Sequence, residues 1–451
     1  MKKLTEGNIW KNFLLFAIPL VLSGLLSQAY TIIDTMIAGH YLGEAGLAAI
    51  AATSPAITFV SSILWGYMAG FGMYVARLFG EDAHERIRRG VWIHFLLCAG
   101  VSILISLAGI LFVDPFLHFL RVEPEIFAAA KEYFVIYIFG FTAFIFGTNA
   151  LFLLGSLGDS TFPFYMSLVS AVLNVGGNIL AVTVLDMGVR GIALASVFSA
   201  LITGGCYLLR FRSVFKRLLP RGTRMTWSLA ETRIAFGYSL PPILQQSAMY
   251  VAGLLLSPMI NSLGSTALAS YAVSTQILAI LNSVYQNSAR ATSNYMAQCS
   301  GEILESAEKR RKLRLGVRVG WVQATVFLLV FLIPCLLAPE FFAKIFFSEG
   351  SAQESIALSV VFERVFLPFV LFNVVNNTFH AVFRAVKSMA FLIGSTIFSS
   401  VVRIGVSLPL TASYGLNGFW AGMVIAWIAE AILLLVVYRM NWWLPRELRN
   451  P

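Results

Sequence analysis

The chain has 451 residues, of which 58% are hydrophobic and only 12% charged, with a formal net charge of +10. Soluble globular domains run at about 45–50% apolar and about 25% charged, so this composition excludes an ordinary soluble protein. The positive charge would suit a nucleic-acid binder, but its distribution along the chain, given below, excludes that reading.

Apolar stretches occur near 12–38, 48–76, 90–113, 131–155, 162–184, 191–211, 236–261, 267–297, 315–338, 361–386, 390–412 and 416–438. A spanning helix needs about 20 mostly apolar residues, so each is a candidate span. Lipid offers no hydrogen-bond partner, which leaves helices or closed barrels. Unbroken apolar runs exclude a barrel, whose strands alternate in and out. The expected fold is an all-α integral membrane protein with twelve transmembrane helices. Short amphipathic segments follow the third and ninth spans, DPFLHFLRV and APEFFAKIFF. Cys98, Cys206, Cys299 and Cys335 fall in or beside spans without metal or disulfide spacing, and read as small apolar fillers.

Basic residues mark the sides. With the N-terminus inside, 25 Lys and Arg fall in the inner loops and span ends and 5 in the outer ones, leaving Arg290 and Arg403 within spans. The asymmetry predicts a multi-pass protein of the plasma membrane with both termini cytoplasmic.

The spans form two sets of six. LGEAGLAAIAATS at 42–54 matches LGSTALASYAVST at 263–275, an offset of 221 that also relates Gly80-Glu81 to Gly301-Glu302. Further on the offset is 227, pairing Asn149 with Asn376, Gly188 with Gly415 and Gly191 with Gly418. Six is even, so the repeats share one orientation, a transporter architecture with its solute site near the bilayer midplane. The predicted division is an N-terminal lobe at 1–211, a cytoplasmic linker at 212–235 with an amphipathic stretch around 227–235, and a C-terminal lobe at 236–451.

Polar groups inside spans are costly and mark function first. Asp34 lies in span 1, with Tyr30 one turn earlier. It reads as a proton carrier or sodium ligand, against the alternative of an outer-end carboxylate reaching the headgroups. Asn174 and Asn178 share one face of span 5, as ligands beside a carboxylate or as packing glue. Ser283, Asn287, Arg290 and Asn294 form one stripe of span 8, expected to face a water-filled cavity. Arg403 and Glu430, on consecutive antiparallel spans at similar depth, are expected to form an intramembrane ion pair. His380 reads as hydrogen-bonded structure. No span carries paired metal acids, a His-Glu zinc pattern or a nucleophile with its base, so no enzyme is expected. No filter-like loop or charge ring suggests a channel.

Several pieces together resemble the multidrug and toxin extrusion (MATE) family. They are AIPLVLSGLLSQAYTIIDTMIAGHYLG in span 1, ARLFGE after span 2, LFLLGSLGDSTFPF between spans 4 and 5, the span 5 asparagines, and MGVRGIALAS leading into span 6. The likeness covers nearly the whole chain. It implies two six-helix lobes in a V, and a secondary antiporter that exports small organic, amphipathic or cationic compounds in exchange for H+ or Na+. It implies no cofactor, small-molecule substrates, contact with membrane lipids and a monomer. The family's cation site maps onto Asp34, Asn174, Asn178 and Ser196, with Tyr30 and Asn149 in the same lobe. Further cavity candidates are Gln245, Gln246, Ser283, Asn287, Arg290, Arg403 and Glu430. Asn178 stands where some members carry a second aspartate, and the acids that some members use in spans 7, 8 and 10 are unmatched. A flippase for a lipid-linked saccharide shares the repeat plan and is the alternative reading, kept open by Arg290 and Arg403.

Overall fold

A computed structural model describes residues 3–119, 122–218, 228–347 and 353–448. These fold into helices: α1 (Ile9–Gly80), α2 (His84–Leu111), α3 (Val113–Phe119), α4 (Pro124–Ser156), α5 (Thr161–Ile179) and α6 (Gly188–Leu218), then α7 (Leu229–Asn261), α8 (Ser265–Gly301), α9 (Ser306–Leu337), α10 (Pro339–Phe346), α11 (Gln353–Val361), α12 (Val370–Ala385) and α13 (Met389–Arg439). A π turn, Leu180–Val184, prolongs α5. A π turn at Phe362–Phe366 and a 3-10 turn at Leu367–Phe369 join α11 to α12.

Among the described residues, ten segments are long and apolar enough to cross a bilayer, and two of the helices are far longer than one crossing. α1 has 72 residues and α13 has 51, against the roughly 30 Å of hydrocarbon that about 20 helical residues span. Each breaks at one glycine: Gly43 has φ 67° and ψ −168°, and Gly415 has φ 58° and ψ −139°. Only glycine adopts such angles without steric cost. Divided there, the helices supply all twelve spans. The repeat mates of these glycines are also left-handed, Gly264 at φ 89° and Gly188 at φ 57°, so the duplication extends to the backbone of the turns. α3 and α10 are the short amphipathic segments expected after spans 3 and 9.

The helices make two compact units. Unit 1 comprises residue 3 and residues 22–239, and unit 2 comprises residues 4–21 and 240–448 of the described chain. In unit 1, α4 packs most extensively on α6, and α5 and α2 add to that pair. Its core includes Met68, Cys98, Leu117, Phe141 and Ile145. In unit 2, α8 packs on α9 and α12, and α12 on α13. Its core gathers Tyr285, Leu328, Phe362, Phe419 and Trp420. Lipid tails are as apolar as these side chains, so close packing rather than desolvation holds such cores. Small residues permit it. A Cβ on Gly418 would lie 1.9 Å from the carbonyl oxygen of Leu410, and one on Gly320 would lie 2.3 Å from Thr292 Oγ1.

These units depart from the division expected at 212–235, of which 219–227 lie outside the described residues. Residues 4–21 belong with unit 2, and residues 229–239 with unit 1. Specific contacts explain both. Leu4 N–H donates to Gln298 Oε1 at 2.9 Å, Thr5 hydroxyl donates to Glu302, and the Phe13 ring sits 4.7 Å from that of Tyr295. In unit 1, Arg86 donates to Glu231 at 2.9 Å, Tyr74 hydroxyl meets the same carboxylate, and Arg77 donates to Tyr238 hydroxyl at 2.9 Å. Gly70 lets the backbone of Tyr238 and Ser239 approach, since a Cβ there would lie 2.4 Å from the Tyr238 carbonyl oxygen.

Candidate functional site

Asp34, Asn174, Asn178 and Ser196 meet in unit 1, although α1, α5 and α6 bring them from distant parts of the chain. Asn174 and Asn178 are separated by one turn of α5, so both carboxamides project from the same face, and both are buried. Asn178 Nδ2 donates to Asp34 Oδ1 at 2.6 Å. The amide of Asn174 satisfies its surroundings with its nitrogen toward Asp34, donating at 2.6 Å to Oδ1 and 2.9 Å to Oδ2, while its oxygen accepts from Ser196 Oγ at 3.1 Å. Amide orientation follows from the hydrogen-bond network in this way. Asn178 Oδ1 is buried without a partner.

The result is a carboxylate held by two neutral amides. No lysine or arginine among the described residues makes an ion pair with Asp34. An ionised carboxylate so placed has hydrogen bonds but no counter-charge, and in a membrane interior that charge is expensive. A bound monovalent cation, proton or sodium, would neutralise it. The Asp34 carboxylate would receive it, with the unpartnered Asn178 Oδ1 on one adjoining amide and Ser196 joined through the other, Asn174.

Three tyrosines belong to the same unit. Tyr30, one turn before Asp34 on α1, accepts from Ser27 Oγ at 3.4 Å. The rings of Tyr133 and Tyr137 on α4 stack at 5.9 Å. Sequence reasoning missed these two, because tyrosine in an apolar span gives no signal beyond its four-residue spacing. Asn149 has another partner. It meets Nε2 of His94, whose ring stacks on Phe71 at 3.7 Å.

The remaining candidates lie on unit 2. Gln245 is buried with Oε1 unpartnered, and Gln246 is half-buried. Along α8, Ser283, Asn287 and Arg290 are half-buried, Asn287 donates to the Ser283 carbonyl at 2.8 Å, and Asn294 is buried. An uncharged chain missed in the sequence runs beside them. Tyr285 hydroxyl donates to Asn282, Asn373 donates to Tyr285 hydroxyl at 2.7 Å, and Asn377 donates to Asn373.

The expected ion pair of Arg403 with Glu430 does not form. Glu430 Oε1 lies 3.0 Å from His380 Nε2, while the Arg403 guanidinium sits 5.9 Å above the ring of Phe419 with its Nε unpartnered. Depth along two antiparallel helices brings residues to one level, but rotation about each axis decides which face they share. Glu363 is a further buried acid of unit 2. The helical segment begins at Gln353, so Glu363 lies well inside it, at the π turn, fully buried with both oxygens unpartnered. π turns of this kind recur at functional sites.

Comparison with known proteins agrees with this architecture. A family model described as MatE matches residues 19–180 and 241–408, one segment in each repeat. The probable multidrug resistance protein YoeA of Bacillus subtilis is 21% identical over 468 aligned positions, covering 98% of this chain and 96% of that protein. The multidrug export protein MepA of Staphylococcus haemolyticus is 20% identical, covering 97% and 95%. A solved structure of a multidrug resistance MATE family transporter in an outward-facing conformation aligns with TM-score 0.89 at 20% identity, over 98% of both chains. With the twelve spans, the repeat and the family model in agreement, the chain belongs to the MatE family, the multidrug and toxin extrusion family of membrane transporters.

Proposed function

We propose that this protein is a secondary antiporter that exports small organic compounds, amphipathic or cationic, in exchange for a proton or sodium ion bound at Asp34. The observation that carries the reading is the Asp34 carboxylate, held by Asn174 and Asn178 and without an ion-pair partner among the described residues. Relatives along nearly the whole chain bear the names multidrug resistance protein and multidrug export protein, which supports export as the direction and drug-like compounds as the cargo. The protein acts in the plasma membrane, as a monomer, with both termini in the cytoplasm. It needs no cofactor beyond the coupling ion.

Coupling follows from the cost of the charge. While Asp34 is ionised, states that keep its pocket wet are favoured over states that dry it. A bound cation removes that bias, and so shifts the balance of conformations by its own differential affinity. Entry of the ion down its gradient then drives the cycle that expels the compound.

Purified protein in proteoliposomes, with ethidium as probe and proton and sodium gradients imposed separately, tests the proposal. Wild-type protein should pump under at least one gradient. Asp34→Asn, neutral at all times, should stay folded and lose pumping under both. Wild-type rates from Asp34→Asn would remove Asp34 from the coupling step.

A further inference from the structure

Among the ion pairs of the described residues, His380 with Glu430 alone has both side chains less than a tenth exposed, at 8% and 6%. His380 lies on α12, and its Nε2 is 3.0 Å from Glu430 Oε1 and 3.1 Å from Ser395 Oγ, the latter two on the two arms of α13. No lysine or arginine of the described residues makes an ion pair with Glu430.

Docking of the helices does not require this pair. One turn earlier, Asn376 Nδ2 donates at 3.1 Å to the Trp427 carbonyl, so the same two helices are already tied without charge. The other repeat shows what the fold itself needs. At the offset of 227, which matches Asn149 to Asn376 and Gly191 to Gly418, His380 corresponds to Leu153, Ser395 to Leu168 and Glu430 to Thr203. All three are uncharged. Leu153 is buried, and Thr203 hydroxyl donates to the Ser199 carbonyl of its own helix at 2.7 Å.

We propose that His380 and Glu430 form a proton-binding site of unit 2, separate from the site at Asp34. The pair is electrically neutral when it holds one proton, on the imidazole beside a carboxylate or on the carboxyl beside a neutral ring. Loss of that proton leaves a bare carboxylate, and a second proton leaves a bare imidazolium. Either is costly in a bilayer-embedded core where, among the described residues, no lysine or arginine makes an ion pair with Glu430. A conformation that admits water to the pocket lowers the cost, so proton occupancy and conformation are linked. Asn376 Oδ1, buried and unpartnered one turn away, gives such a water an acceptor. Other ionisable groups stand on the elements around the pair. They are Arg384 one turn further on α12, Tyr438 of α13 against Phe379, Arg403 on the first arm of α13, Arg318 on α9, and Arg290 on α8, three residues before Ser293, whose hydroxyl donates to the Ala381 carbonyl.

Infrared difference spectra of the purified chain in nanodiscs, between acid and alkaline buffer, test the site without a transported compound. In the wild type, a carboxyl band and an imidazole band should change together. His380→Gln and Glu430→Gln should each abolish the joint change, and the double variant, which keeps hydrogen-bonding amides, should lose it while remaining folded. Asp34→Asn should remove a different carboxyl band and leave the joint change intact. Spectra of wild-type protein carrying ring-labelled histidine, with five histidines to resolve, give the same reading without any substitution. A joint change that survives in the His380 and Glu430 variants, or an imidazole at position 380 that never titrates, would overturn the proposal. A failed Asp34 reading has its own signature, unchanged ethidium efflux in Asp34→Asn with the joint change still present.

Discussion

Single side chains divide the chemistry between the repeats. Asp34 corresponds by the offset of 221 to Leu255, and Asn174, Asn178 and Ser196 correspond by 227 to Val401, Gly405 and Met423. The oxygen-rich site therefore exists once, in unit 1. Within it the two amides are not equivalent, since Asn178 hydrogen-bonds to Asp34, while Asn174 joins both Asp34 and Ser196. Hydrogen bonds to a charged group contribute about 1.5–3 kcal/mol. Asn178→Ala should accordingly weaken coupling by roughly tenfold in the ion concentration needed for half-maximal efflux, where Asp34→Asn abolishes it. Ethidium efflux at graded ion concentration reads the difference, and equal loss in the two variants would refute it. In unit 2, thermal denaturation of single and double variants should show that His380→Gln and Glu430→Gln are coupled, whereas Arg403→Gln and Glu430→Gln add independently. Contacting groups deviate from additivity by about 0.5–3 kcal/mol, and separated ones by less than about 0.5 kcal/mol. Strong coupling between Arg403 and Glu430 would contradict the observed geometry.

At the scale of helices, hydropathy reveals what lies in lipid and leaves hidden what faces what. The spans, the short helices α3 and α10, and the turn glycines were legible because each has a local cause, a run of apolar residues or a backbone angle that only glycine tolerates. The partner of Glu430 was not legible, because it depends on helix rotation, and neither was the allocation of residues 4–21 and 229–239 to units 2 and 1. Those segments look like the ordinary first turns of spans 1 and 7. Their placement rests on distant partners, Gln298 and Glu302 for one, Arg77 and Arg86 for the other. Of the candidate site, Asp34 and the α5 asparagines stood out as polar groups in apolar spans, whereas Ser196 entered only through the family resemblance. Close glycine contacts make the packing testable. Gly70→Ala and Gly418→Ala place a methyl group against backbone, 2.4 Å from the Tyr238 carbonyl oxygen and 1.9 Å from that of Leu410. Each should lower stability by about 1–3 kcal/mol. Gly253→Ala, where a Cβ meets nothing within 4 Å, should be neutral or stabilising. Melting temperatures in one detergent rank the three, and a Gly253 variant as damaged as Gly418→Ala would rule out close contact as the cause.

Across the whole molecule, the repeat and the charge distribution bear on one question, the side of the membrane on which each end of the bundle lies. Six spans per repeat return the chain to its starting side, so the N-terminus, the 212–235 segment and the C-terminus must share a side. The basic residues gather there, 25 against 5. Orientation is set by lysine and arginine in short loops, since those residues resist translocation, so this end is predicted to be cytoplasmic. Two exposed or half-exposed serines report it. Ser228 stands immediately before α7, and Ser262 lies in the turn between α7 and α8, at the opposite end of the same span. Of the native cysteines, Cys98, Cys299 and Cys335 are buried and Cys206 is half-buried, so a background with Cys206→Ala keeps unwanted labelling low. In intact cells a membrane-impermeant maleimide should react with Ser262→Cys and spare Ser228→Cys until the membrane is permeabilised. The reverse pattern would invert the whole molecule and place the Asp34 end in the cytoplasm, yet leave export as the direction, because ion entry down its gradient is exchanged for exit of the compound in either orientation.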